Sequence, residues 1–422
     1  MEDDLAAFPY VNGGLFADEN IEIPRFTEEI VDLLVNKASA GFDWSEISPT
    51  IFGAVFESTL NPETRRSGGM HYTSLENIHK VIDPLFLDAL KAELEEIKAL
   101  KVAKTREQRL QEYRKKLSQL TFLDPAAGSG NFLTETYLSL RRLENEALYE
   151  ENHGQMLLGV KGEYNPIQVS IGQFYGIEIN DFAVTVAKTA LWIAESQMMQ
   201  ETEKLMQINL NFLPLKSYAN IVEGNALRID WESVVPKEKL NYIMGNPPFV
   251  GGMYMSKEQK NDITAIFEDV KGVGEIDYVC AWYKKSADYI KGKKIKCAFV
   301  STNSICQGQQ VITFWKYIFT HYTMQINYAF ETFVWNSESN ENAKVHCVII
   351  GFSCFEDNCI ERKLYSNNNK FKVCSNINPY LADAPTIFID SHSKPICKVS
   401  PIRFGSMPRD GGGFVLSEDE KN

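Results

Sequence analysis

The sequence predicts an α/β protein: a doubly wound, mainly parallel, Rossmann-like sheet with an N-terminal helical extension. Two observations carry this. From residue 120 to about residue 352, short apolar runs alternate with longer helical segments, with turn residues between them. Ahead of that alternation, residues 70–127 hold no glycine, and Pro84 is the one break in a helical pattern. In chain order, 12–14 is a turn, 21–24 reads as extended, and 27–37 has helical spacing. Thr73-Ser74-Leu75-Glu76 reads as a capping box opening a helix through Ile78, Ile82, Leu85 and Leu90, with a kink or boundary at Pro84. Strands follow at 120–123, 174–179, 221–222, 242–244, 296–300, 325–330 and 344–352. Helices are predicted over 131–151, 182–199, 276–290 and 311–319. Beyond Phe352 the pattern dissolves into an asparagine run at 367–369, five prolines and the glycines 411–413, which reads as linker. The predicted organisation is a mostly helical region over 1–118, a catalytic domain over 119–355, and over 356–422 a linker with the start of an incomplete further region.

Composition narrows the class. No run of 18 apolar residues occurs in the 422, which argues against a membrane span. Three acids directly follow Met1 and the first thirty residues contain no apolar signal core, which argues against secretion. All eight cysteines lie after residue 279 at irregular spacing, a pattern of reduced cytoplasmic thiols with no metal site. The net charge of −13 excludes nucleic-acid binding through bulk electrostatics alone. Two basic clusters remain: Lys284, Lys285, Lys291, Lys293, Lys294 and Lys296, and a second running from Lys101 through Arg106, Arg109 and Arg114 to Lys116. Each is either a local binding surface or a solvated helix face.

Three strand tips carry chemistry. The first is Asp124-Pro125-Ala126-Ala127-Gly128-Ser129-Gly130-Asn131-Phe132-Leu133, a glycine turn between a strand and a helix. Such a turn suits a dinucleotide, a phosphate or S-adenosylmethionine. The dinucleotide fingerprint wants glycine where Leu133 stands, and the Gly-Lys-Ser/Thr ending of a phosphate loop is absent. A carboxylate at Asp124 also suits a cationic ligand and can accept from the ammonium of a methionine. The second tip is Tyr175-Gly176-Ile177-Glu178-Ile179-Asn180, where the Glu178 carboxylate offers two acceptors to the two ribose hydroxyls of an adenosine. The wide gap between the two tips is taken up by an inserted loop over 153–166. The third tip is Asn246-Pro247-Pro248-Phe249. An exocyclic amino nitrogen is a poor nucleophile because its lone pair is delocalised into the ring. The Asn246 amide oxygen and the Pro247 carbonyl can bind its two hydrogens and favour a pyramidal nitrogen. Consecutive prolines preset the loop, and Phe249 can stack on a base flipped from a duplex.

With these residues the sequence resembles the N6-adenine DNA methyltransferases of the gamma group, whose motifs include Asp-Pro-Ala-Cys-Gly-Ser-Gly-x-Phe and Asn-Pro-Pro-Tyr/Phe. Ala127 departs from the first motif at a position that contacts cofactor through backbone. Gly69-Met70-His71-Tyr72-Thr73 looks like the family segment that helps enclose the cofactor. Glu223-Gly224-Asn225-Ala226-Leu227 resembles the motif in which Asn225 contacts the cofactor adenine. Residues 8–16, 301–308 and 378–381 narrow the likeness to the methyltransferase core of single-chain type IIG/IIL restriction–modification enzymes. The resemblance implies S-adenosylmethionine as cofactor, double-stranded DNA as partner, and a recognition domain missing from this chain. It implies a cofactor set of Tyr72, Thr73, Asp124, Ala126, Gly128, Gly130, Asn131, Phe132, Glu178, Ile179, Asn225 and Ala226. Catalysis falls to Asn246, Pro247, Pro248 and Phe249, and residues 251–275 read as a mobile loop over the substrate. Two alternatives use the same residues: amino methylation of RNA or a protein glutamine, and a non-catalytic scaffold. Oligomeric state is not legible.

Overall fold

The computed structural model describes residues 25–39, 41, 47–50, 52, 73–152, 165–208, 210, 219–268, 270–335, 345–356, 361–366, 368–388 and 397–400. Tyr72 and the rest of 69–72, the turn at 12–14 and residues 153–164 of the inserted loop over 153–166 lie outside the described residues. The chain divides into a unit over 1–387 and a short one over 388–422. In the first unit, a helical turn α1 (Glu28–Asp32) precedes α2 (Leu75–Ile82), α3 (Asp88–Lys98) and α4 (Ala103–Gln119). After these the chain alternates through β1 (Phe122–Asp124), α5 (Asn131–Glu151), β2 (Phe174–Glu178), α6 (Asp181–Met206), β3 (Asn220–Glu223) and β4 (Tyr242–Gly245). Helices α7 (Lys257–Phe267) and α8 (Cys280–Ile290) lead to β5 (Lys296–Thr302), β6 (Gln325–Trp335), β7 (Val345–Ser353), β8 (Arg362–Tyr365) and β9 (Phe371–Cys374). Among the described residues no helix is long and apolar enough to cross a membrane.

The nine strands form one sheet in the order β3-β2-β1-β4-β5-β7-β6-β8-β9. The first five are mutually parallel, β7 runs antiparallel between β5 and β6, and β8 returns parallel to β6. Strand order reverses between β1 and β4, the switch point at which doubly wound sheets bind ligands. That seam is built on rings. Phe122 stacks between Phe174 and Tyr242 at centroid distances of 5.3 and 5.5 Å, and Phe86 tilts onto Phe122 and Tyr242 at 5.0 Å each. Ile78, Val81 and Ile82 are fully buried at helical spacing, which seats α2 on the sheet.

Two local expectations are corrected, the capping box and the linker beyond residue 356. The capping box at 73–76 does not form: Ser74 is the N-cap without a side-chain bond, and Glu76 pairs with Lys80 instead. The boundary expected at Pro84 is present, since α2 ends at Ile82 just before it. A π-helical turn, Asp83–Leu87, absorbs its missing N–H, with the Asp88 N–H reaching back five residues to the Asp83 carbonyl. Residues 361–374, read as linker, are β8 and β9; Tyr365 stacks on Phe330 at 4.4 Å, and Asn369 takes the turn between the strands at φ +59°. Several members of the two basic clusters pair with acids of the same chain. Lys284 pairs with Asp288 and Lys293 with Glu238, while Lys116 pairs with Glu93 and a buried Arg114 with Glu151.

Candidate active site

β1 delivers Asp124 to the glycine turn. Its Oδ1 accepts from the Ala126 N–H at 2.9 Å, fixing the first bend. Gly128 and Gly130 then adopt φ of +52° and +80°, in the left-handed region that favours glycine. At Gly130 space is equally decisive, because a Cβ would lie 2.8 Å from the Cβ of Ala187 on α6. The turn is tied to β2 at two points, the Ala127 N–H to the Ile177 carbonyl and the Gly128 N–H to Glu178 Oε2 at 2.8 Å. Glu178 Oε1 accepts from the Asn180 N–H at 3.0 Å. The Glu178 carboxylate therefore shapes the glycine turn as well as facing the cavity.

A cavity of about 770 Å³ opens over the carboxyl ends of these strands. It gathers most of the predicted site: Thr73, Ala126, Gly128, Asn131, Phe132, Glu178, Ile179, Asn225, Ala226, Asn246 and Pro248 all line it. Asp124, Gly130, Pro247 and Phe249 are not on its wall. Asp124 is wholly enclosed beneath the turn, Gly130 is the N-cap of α5, Pro247 is buried, and Phe249 is half-buried against the sheet core.

At the tip of β4 the Asn246 side chain is anchored through its amide nitrogen, which donates to the Thr73 hydroxyl at 3.4 Å. Its Oδ1 is buried with no hydrogen-bond partner. Such an acceptor is costly unless a ligand satisfies it. Asn131 Oδ1 and Asp124 Oδ2 are orphaned in the same way. Burial pushes the Asp124 carboxyl up to about 8, partly opposed by the Ala126 N–H and reinforced by Glu178. Burial also raises Glu178, against three backbone N–H groups. Neither carboxyl forms an ion pair among the described residues. A cation bound beside them would favour their charged forms.

The far wall holds residues that sequence reasoning missed. Asp262 on α7 accepts from Asn225 Nδ2 at 2.9 Å, Arg228 Nε at 2.7 Å and the Tyr278 hydroxyl at 3.2 Å. Asn225 is thus partly committed within the protein, its Oδ1 taking the Leu227 N–H. Trp282 also lines the cavity and donates to the Pro125 carbonyl at 3.0 Å. The stretch read as a mobile loop contains α7, and a signal for it was present. Ser256 and Gln259 form a complete capping box there.

Residues 100–366 match the protein family described as MmeI, DNA-methyltransferase domain. DNA methyltransferase A of Bacillus subtilis (strain 168) is 39% identical over 420 residues, covering 99% of this chain and 46% of that protein. A solved structure of the type IIL restriction-modification enzyme MmeI in complex with DNA is 40% identical, with a TM-score of 0.88 over 99% of this chain and 55% of that one. The chain thus spans about half the length of these relatives. A glycine turn at β1, an acid at β2 and an Asn-Pro-Pro-Phe loop at β4 converge on one cavity, and the match runs through all three: the chain belongs to the MmeI DNA-methyltransferase domain family.

Proposed function

We propose that this chain transfers a methyl group from S-adenosylmethionine to N6 of adenine in double-stranded DNA, as the modification core of a restriction–modification enzyme. The observation that carries the reading is Asn246 Oδ1, a buried acceptor with no protein partner on the wall of the switch-point cavity. The residues present fit the cofactor. Glu178, on the cavity wall, retains lone pairs for ribose hydroxyls, and Gly128 leaves the turn clear of a side chain there. When bound, the sulfonium supplies an activated methyl group. Asn246 Oδ1, with the Pro247 carbonyl, accepts from the amino hydrogens and turns the nitrogen lone pair out of ring conjugation. Thr73 holds the Asn246 amide so that the oxygen is the end presented to substrate. Stacking of Phe249 on a flipped base would require its ring to turn from the sheet core toward the cavity. No cysteine stands in the loop, consistent with direct transfer and no covalent enzyme intermediate.

The test is nucleoside mass spectrometry on mixed-sequence DNA incubated with cofactor and either the unmutated chain or Asn246→Ala. Transfer should fall at least roughly 100-fold in the variant, with cofactor affinity near normal. Equal loss of both would contradict the assigned role. Normal cofactor binding by the unmutated chain without any methyladenine would move the acceptor to RNA or a protein amide.

A further inference from the structure

The turn over 251–254 follows directly on the Asn246–Phe249 loop. Met253 and Tyr254 are 87% and 82% exposed, more than any other large apolar side chain among the described residues. Two such neighbours cost solubility and ordinarily mark a contact surface. Their backbone is nevertheless held firmly. The Val250 N–H donates to Asp277 Oδ1 at 2.9 Å, and the Tyr278 N–H donates to the Val250 carbonyl at 3.0 Å. Asp277 is itself buried and accepts from the Val279 N–H and the Thr302 hydroxyl, which anchors the turn to the end of β5. Gly252 lies so close to the next segment that a Cβ would sit 2.4 Å from the Gly274 carbonyl oxygen. The Tyr254 N–H closes the turn on the Gly251 carbonyl at 2.8 Å. Tyr254 lines the cavity, so the turn forms its lip, with Met253 outermost and Lys257 exposed just beyond.

Resting on the methyl-transfer reading above, we propose that this turn is a wedge for double-stranded DNA. Met253, backed by Tyr254, enters the base stack and fills the gap left when the target base rotates into the cavity. A base inside a duplex cannot reach Asn246 without leaving its stack. The gap left behind exposes two ring faces to water, and proteins that unstack DNA cover such faces with methionine and other apolar side chains. An unbranched thioether adapts to either neighbour. A turn pinned by Asp277 and Gly252 presents it with little ordering entropy to lose. Lys257 beside it suits the phosphates flanking the opened step.

Fluorescence anisotropy with the full chain tests this without knowledge of a recognition sequence. Two labelled duplexes of one sequence are compared, one intact and one with a single abasic position, in the presence of S-adenosylhomocysteine. A ready-made gap should be bound more tightly by on the order of fivefold, the value of one stacking contact. Met253→Ala should reduce that preference to within about twofold while S-adenosylhomocysteine binding is unchanged, as suits so exposed a residue. Tyr254→Phe should keep the preference. An equal loss on both duplexes would show a contact with the DNA backbone and overturn the wedge. Absence of any preference in the unmutated chain also overturns it, leaving the pair to be covered by another protein segment. The same samples are assayed for N6-methyladenine. Methylation without abasic preference sinks the wedge alone, whereas neither DNA binding nor methylation removes the methyl-transfer reading and the wedge with it.

Discussion

Asp124 works at one remove from the cavity. Enclosed beneath the glycine turn, it bends the backbone through Ala126, and Gly245 on the adjacent strand must lack a side chain because a Cβ there would lie 2.4 Å from its Oδ1. With its carboxyl raised to about 8, it is neutral below that pH and charged above it. A ligand of net positive charge prefers the charged form, so cofactor affinity should rise with pH through about 8, by up to roughly tenfold per pH unit. The cofactor's own amine titrates nearby, so calorimetric affinities must be compared with those of Asp124→Asn. The difference between the two curves should appear above pH 7, and parallel curves would refute the coupling. The sequence places Asp124 at a strand tip, because a strand followed by a glycine turn is a local pattern. Its depth was not legible, since Gly245 and the far side of the turn come from a strand more than a hundred residues later. Asp262 escaped for the same reason, its partners lying on two separate segments, 225–228 and Tyr278.

Helix α2 shows what an element contributes beyond packing. Its first turn follows Thr73, which steadies Asn246, and its last turn carries His79. His79 bridges Asp83 at 2.8 Å and Glu135 of α5 at 3.3 Å. Hydrogen bonds to Asp83 and then Glu135 raise its pKa from 6.5 to about 9 against the cost of burial. A raised histidine stabilises the fold fully below its unfolded value of 6.5, and that contribution is lost as pH climbs through about 9. Melting temperature should therefore decline between pH 6.5 and 9.5 in the unmutated chain and more shallowly in His79→Gln. Identical slopes would show that the bridge contributes nothing. Elements with a clear apolar period, such as α5 and β4, were legible in the sequence. β8 and β9 were not, because strands of four residues each are too short to show a period.

For the whole molecule, β8 and β9 complete the sheet. β8 covers the outer edge of β6, and the ring of Tyr365 on Phe330 seals that junction. A chain ended after residue 356 would leave a long apolar strand with unpaired backbone groups, a template for aggregation. It should melt lower and scatter light on warming, whereas a chain ended after residue 387 should match the parent; equal behaviour of the two would show that the edge strands are dispensable. At the opposite scale from such edges stands the centre of the sheet. β1 meets β4 through just two paired positions, Phe122 with Tyr242 and Leu123 with Ile243, joining segments some 120 residues apart in the chain. Asp124 ends one side of that junction and Asn246 follows the other, so the cavity exists only where the two halves of the chain have found each other. Any ligand held from both sides therefore adds its binding energy to the longest-range strand pairing among the described residues. Occupancy becomes cohesion between the halves, and the reaction centre doubles as the clasp of the fold.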